Sequence, residues 1–157
     1  MLSAVVVEPL AHHRELLSLI AGWFVSEWPS WYGPGGPGDV TQDVEAFAAS
    51  DAALPLGMVV FENGVPVGAA ALKASSIPSH THLSPWAAAG YVLPARRGEG
   101  LGALLLQGLV ARAKELGYER VYCGTSTAER LLGRAGWLPL EVTSLEGKPL
   151  TVFQSVA

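Results

Sequence analysis

The stretch Tyr91-Val92-Leu93-Pro94-Ala95-Arg96-Arg97-Gly98-Glu99-Gly100-Leu101-Gly102 constrains this chain more than any other. The apolar run Trp86 to Leu93 before it reads as a buried strand, and Pro94, which lacks an N–H, ends its ladder. After it, Leu101, Leu105, Leu109, Ala113 and Leu116 recur at helical spacing from Gly100 to Leu116, and Gly117 marks the stop. A strand that feeds a helix through glycines presents the unpaired N–H groups of the first turn and the positive end of the helix dipole. Gly98, Gly100 and Gly102 carry no side chain to keep a ligand away from those groups. The physical expectation is an anion site, most simply for a phosphate or pyrophosphate, with Arg96 and Arg97 adding charge beside it.

The remaining elements follow from periodicity and punctuation. Ser3 to Glu8 is Val-rich and reads as a strand. His12 to Trp28 carries Leu16, Leu17, Ile20, Trp23 and Phe24 at helical spacing. Gly and Pro are too dense from Pro29 to Gly38 for a regular element, so a loop is expected there. Val40 to Ala49 reads as a short helix with Thr41 as its cap and Val44, Phe47 and Ala48 facing inward. Gly57 to Glu62 and Pro66 to Ala74 form a hairpin about Asn63-Gly64, and Ser75 to Pro85 is a loop. Arg120 to Gly124 is a strand, and Ala128, Leu131, Leu132 and Ala135 mark a short helix that stops at Gly136. Leu138 to Leu145 and Pro149 to Val156 close the chain as a hairpin about Glu146-Gly147-Lys148. The order β, α, α, β, β, β, α, β, α, β, β, without internal repeats, predicts a single mixed α/β domain over residues 1–157 built on a central sheet. Its strand–helix–strand unit from Trp86 to Gly124 predicts a parallel pair with a right-handed crossover.

Composition mostly excludes. The chain has 18 Gly and 11 Pro in 157 residues, but no G-X-Y period, so neither collagen nor a flexible linker explains them. A net charge of −4 argues against a nucleic-acid binder driven by phosphate contacts. The single cysteine, Cys123, excludes a disulfide framework and a Cys-based zinc site; it reads as a small core residue, and no metal is expected. The opening Met-Leu-Ser-Ala-Val-Val-Val-Glu has no positive n-region, and no apolar run approaches the roughly 20 residues of a membrane span. A cytoplasmic protein without membrane or nucleic-acid partners is the expectation.

Two common phosphate motifs fail on the glycine turn. Gly102 is followed by Ala103-Leu104, not the Lys-Ser/Thr of a Walker A loop, and the spacing is G-x-G-x-G rather than G-x-G-x-x-G. What the chain does contain is Val92-x-Pro94-x-x-Arg97-x-x-Gly100-x-Gly102. With this pattern it resembles the acyl-CoA site of the GNAT N-acetyltransferase superfamily. The likeness extends along nearly the whole chain: the element order agrees, the Asn63-Gly64 hairpin is in place, and Leu131 to Trp137 is similar to the family's C-terminal segment. Trp23 to Trp28 and Ser84-Pro85-Trp86 are similar to one branch of the family.

The resemblance implies a mixed, mostly antiparallel sheet of about seven strands with four helices, and a parallel pair splayed at the acyl-CoA site. It implies transfer of an acetyl group from acetyl-CoA to a primary amine by direct attack. The backbone of Arg97, Gly98, Glu99, Gly100, Leu101, Gly102 and Ala103, beside Arg96, would cradle the pyrophosphate. The backbone at Tyr91 and Val92 would pair with the pantetheine arm and offer a donor to the thioester oxygen, where charge develops. Thr125 stands where the family often has an Asn in the cofactor site.

One departure concerns the proton donor. The family's usual tyrosine is Leu132 here, which leaves Ser126, Thr125, Tyr91 or water to substitute, and core packing as the reading of Leu132 itself. Candidate bases are His80 and His82, in the polar loop before the signature strand, and Glu27. Trp28, Trp31, Tyr32 and Trp86 are candidate acceptor-binding rings, although for Trp23 and Trp86 core packing competes with that role. The acceptor would be a small-molecule or peptide amine, and the acidic balance tilts toward basic ones. The rival readings are a non-catalytic acyl-CoA-sensing module and an enzyme for a longer acyl-CoA. The apolar C-terminal hairpin also offers a face for a homodimer.

Overall fold

A computed structural model describes residues 4–157, so Ser3, the expected start of the first strand, lies outside the described residues. Seven strands form one sheet in the order β1-β2-β3-β4-β5-β7-β6. They are β1 (Val5–Pro9), β2 (Leu56–Glu62), β3 (Val65–Lys73), β4 (Trp86–Val92), β5 (Arg120–Thr125), β6 (Leu138–Leu145) and β7 (Lys148–Val156). Every neighbouring pair is antiparallel except β4 and β5, which run parallel on either side of the helix that joins them. The helices are α1 (Leu17–Glu27), α2 (Pro29–Tyr32), α3 (Val40–Phe47), α4 (Leu101–Glu115) and α5 (Glu129–Arg134).

Helices cover both faces of the sheet, which explains why Leu56 to Phe61 is apolar without alternation. Leu56, Met58 and Val60 pack with Leu101, Leu105, Leu109 and Ala113 of α4 on one face. Val59 and Phe61 pack with Ile20, Phe24, Val44 and Phe47 of α1 and α3 on the other. Each fully buried aliphatic side chain in these layers is worth about 1.5–3 kcal/mol of transfer free energy. At the far edge, β6 leaves Leu138, Leu140 and Val142 exposed. No helix among the described residues is long and apolar enough to cross a membrane.

The structure corrects several local expectations. Residues 10–16 wind into two 3-10 turns, and the α-helix begins only at Leu17, because His13 at φ −138°, ψ 53° interrupts the helical path. Pro29 to Tyr32 is a helical turn rather than loop; a proline at its start pre-sets φ and supplies no N–H that would need a partner. It adds a fifth helical segment to the four expected. Asp39, not Thr41, caps α3: its side chain accepts from the Gln42 N–H at 3.0 Å, and Thr41 lies inside the helix. On α5 Leu132 is buried and Leu131 is exposed.

Leu109 is wholly buried between α4 and the sheet. Leu109→Ala is expected to lower the unfolding free energy by about 2–5 kcal/mol in urea denaturation. Leu138→Ala, at a side chain 66% exposed, is expected to change it by less than about 0.5 kcal/mol.

Candidate active site

β4 and β5 are bridged only at Trp86 and Tyr122, and beyond that point they part. β3 covers one edge of β4 and β7 covers the outer edge of β5. The two facing edges, Ala87 to Val92 and Cys123 to Thr125, therefore line a cleft instead of bonding to each other. Backbone N–H and C=O groups on such edges require partners, and an extended ligand that carries amides supplies them as an added strand would. β4 is also bulged. Ala89 sits at φ +53°, and the pairing with β3 shifts between Ala69 and Ala71. A left-handed alanine costs about 1–2 kcal/mol, and the bulge re-aims the backbone at the cleft. Sequence reasoning missed this feature; the run of small residues Ala87-Ala88-Ala89-Gly90 inside a strand was its signal.

The glycine turn closes one end of the slot. After a 3-10 turn over Pro94–Arg96, Gly98 and Gly100 take φ of +84° and +89°, left-handed values that glycine reaches without strain. Gly100 caps α4 with no side-chain hydrogen bond, and the first turn of α4 contains no acid. Among the described residues the first N–H groups of the helix are left without a side-chain acceptor, and the one adjoining acid, Glu99, is paired with Arg96. Arg97 binds the end of β4: its Nε donates to the Val92 carbonyl at 2.8 Å and its guanidinium lies 5.4 Å from the Tyr91 ring centre. The same guanidinium donates to Glu27 at 2.9 Å, which ties α1 to the turn. Arg96 is held between Glu62 at 2.7 Å and Glu99 at 2.9 Å, and its hydrogen bond keeps the Glu99 carboxyl below the usual carboxylate range. Its charge is thus matched within the protein instead of being left to an anion. Arg130 and Arg134 on α5 also line the cleft, and neither has an ion-pair partner among the described residues. Their i, i+4 spacing, which puts both on one helix face, was the signal overlooked.

Aromatic rings form another wall of the cleft. Trp28 packs on Phe24 at 5.2 Å between ring centres, and Tyr32 stacks on Phe24 at 6.3 Å. The Tyr32 hydroxyl donates to Asp43 at 2.6 Å; burial and then that carboxylate raise its pKa well above the usual phenol value. Trp31 is 47% exposed. The glycine-rich loop behind these rings acts as a mould for them. Gly38 N–H donates to the Trp31 carbonyl at 2.8 Å, and a side-chain carbon on Gly36 would overlap that carbonyl. One on Gly38 would overlap the Trp31 indole nitrogen. Lys73, Ser76, Pro78, Leu145 and Glu146 also line the cleft.

The expected site residues separate clearly. Of the three candidate bases, Glu27 lines the cleft. His80 is buried outside the lining, with Ser79 on one ring nitrogen and Glu141 on the other. His82 is exposed and stacks on His80 at 5.6 Å, also outside the lining. Trp86 is wholly buried beside Ile77 and Val152, and its indole N–H donates to the Leu83 carbonyl, so no face is left for an acceptor. That corrects its assignment as a binding ring. Ser126 is exposed and outside the lining. Thr125 lines the cleft, but its hydroxyl accepts from the Thr127 and Ala128 N–H groups and so organises the start of α5. Leu132 is core, as its neighbours suggested. Cys123 lines the slot; burial pushes its thiol up to about 11. The charged lining is Lys73, Arg96, Arg97, Arg130 and Arg134 against Glu27 and Glu146. The acidity of the chain is therefore not carried into the cleft lining.

Comparison with known proteins places this geometry. The family model for the acetyltransferase (GNAT) family matches residues 20–136. An aminoglycoside 6′-N-acetyltransferase complexed with coenzyme A superposes with a TM-score of 0.77 at 13% identity, over 96% of each chain. The aminoglycoside 6′-N-acetyltransferase from Enterococcus faecium does so with a TM-score of 0.75 at 13% identity, again over 96% of each chain. An N-acetyltransferase from Staphylococcus aureus Mu50 gives 0.69 at 16%, over 99% of each chain. Identities this low speak for the fold alone. No curated protein matches the sequence.

The raised thiol pKa gives a direct chemical expectation. Cys123 should be alkylated by iodoacetamide at pH 8 about a hundredfold more slowly than free cysteine, because so little of it is thiolate. Mass spectrometry of the labelled protein over time reads this.

Proposed function

The chain belongs to the GNAT acetyltransferase family, and from that premise we propose that it transfers an acetyl group from acetyl-CoA to a primary amine. The observation that carries this reading is one continuous cleft of about 1380 Å³ lined by the glycine turn, the open edge of β4 and the aromatic wall. Single-ligand pockets span about 300–1,000 Å³. A cleft this large, with an anion-binding part and a ring-lined part, suits two substrates that meet within it.

The residues present fit coenzyme A. The N–H groups from Arg97 to Ala103 would hold its pyrophosphate, with Arg130 and Arg134 available to further phosphates. The free edge of β4 would pair with the amides of the pantetheine arm. Arg97 already occupies the Val92 carbonyl as an acceptor, and the backbone near the Ala89 bulge, where the β3–β4 pairing shifts, would offer the donors. A backbone N–H directed at the thioester oxygen would stabilise the charge that develops there, an effect worth about 2.7–4 kcal/mol at comparable sites. Glu27 is the carboxylate placed to accept the amine proton, through water, while Arg97 holds one of its oxygens. No dedicated acid is required. A thiol with an ordinary pKa near ~8.5 leaves as thiolate at neutral pH, so Leu132 in place of a tyrosine does not block the reaction.

One observation favours a second reading, an acyl-CoA-binding module without turnover: Leu132 is in the core and the Tyr32 hydroxyl is engaged by Asp43. Thiol release from acetyl-CoA over a panel of amines separates the two, since only an enzyme turns over.

Gly102→Glu is expected to abolish acetyl-CoA binding in calorimetry and leave the circular dichroism spectrum unchanged. Position 102 is helical, and an added carbon meets only the end of the Leu131 side chain at 3.2 Å, so the fold tolerates the residue while the carboxylate opposes the anion. Retained affinity would place the anion elsewhere. For the transfer itself, kcat/KM should rise about tenfold per pH unit below the pKa of the acceptor amine and level above it, because only the neutral amine attacks.

A further inference from the structure

Resting on the acetyltransferase reading, we propose that the acceptor is a monoamine with a flat aromatic body, its ring stacked on Trp31 and its amine held at Glu27. The two residues belong to one short segment. Glu27 ends α1, Trp31 lies in α2, and both line the cleft together with Trp28 and Tyr32. Four steps of chain keep their Cα atoms within about 14 Å even at full extension, and α2 is a helical turn, which shortens the span.

The rings are fixed without being used up. Trp28 and Tyr32 both pack on Phe24. The pyrrole edge of Trp31 lies against Gly38, where an added side-chain carbon would come within 2.4 Å of the indole nitrogen. The rest of the indole is open, and the residue is 47% exposed. A large ring fixed by its neighbours and left open in a cleft has lost its rotamer freedom in advance. A flat ligand that covers it gains contact at little further cost in entropy.

Charge and hydrogen bonding narrow the class. From Glu27 to Tyr32 the one charged residue is Glu27. Arg97 takes its Oε2 at 2.9 Å, which leaves Oε1 for a single ammonium. A polyamine would bring further positive charges toward Lys73, Arg96, Arg97, Arg130 and Arg134 of the lining. The wall also offers little to hydroxyl groups, because the Tyr32 hydroxyl is given to Asp43 and the N–H edge of Trp31 lies against Gly38. A sugar would leave hydroxyls unpaired there.

The test compares phenethylamine with cyclohexylethylamine, which share the amine and the linker and differ in the π face. Each is titrated calorimetrically into the wild-type protein, with and without saturating CoA, and assayed for acetylation with acetyl-CoA. The aromatic member is expected to bind about twofold to tenfold more tightly, the range for an aromatic pair beyond its buried area. Spermidine and glucosamine are expected to bind at least about tenfold more weakly than phenethylamine. Trp31→Leu should bring the ratio of the matched pair close to one, and Trp31→Phe should keep it above one. Both variants alter a half-exposed side chain and are expected to keep the fold, which circular dichroism checks. The proposal is overturned if wild type binds neither member of the pair, if it binds the cyclohexyl amine as tightly, if it prefers spermidine or glucosamine, or if Trp31→Leu leaves the ratio unchanged. Failure of CoA to bind the wild-type protein would instead overturn the acetyltransferase reading, so the two failures are distinct.

Discussion

After the Trp86–Tyr122 bridge, β4 and β5 stop bonding to each other, although both remain in the sheet through their outer partners. The rest of the site depends on that gap. Backbone groups that a ladder would have used face a cleft instead, and the bulge at Ala89 turns one stretch of them further inward. The glycine turn and α4 continue directly from the end of β4, so the helix N-terminus lies where the slot opens. A crossover helix between two parallel strands supplies, in one connection, the free edge and the anion-binding end.

Charge is distributed unevenly about this gap. A chain with net charge −4 lines its cleft with five cations and two acids. The cations of the turn are held in place by acids from elsewhere: Glu62 holds Arg96 from β2, and Glu27 holds Arg97 from α1. Glu27 closes α1, next to the turn that presents Trp28 and Trp31, so one ion pair joins the aromatic wall to the phosphate end. Exposed ion pairs contribute little stability, about 0–1 kcal/mol, and the value of this one is positional.

Local chemistry made much of this legible. The positive φ at Gly98 and Gly100, the hairpin at Asn63-Gly64 and the helical stripe of α4 each depend on residues close together in sequence. The misreadings have a common origin in partners that are distant along the chain. His80 became a structural group because Glu141, 61 residues away, takes one ring nitrogen. Trp86 left the acceptor groove because Ile77 and Val152 close over it. The loop from Gly33 to Gly38 could be read as irregular, but its work as a mould for Trp31 appears only when it folds back on α2. Thr41 and Asp39 are both good caps by type, and only the start of the helix chooses between them.

The amino-acid sequence by itself determined the order of the strands, the αL glycines of the turn and the family. Those are properties of short segments, set by backbone sterics and hydrophobic period. Only the tertiary structure decided that β4 and β5 part, and that Glu27 rather than His80 or His82 faces the cleft. Each of those depends on which strand edges pair and which faces helices cover, and those contacts join residues that no local pattern connects.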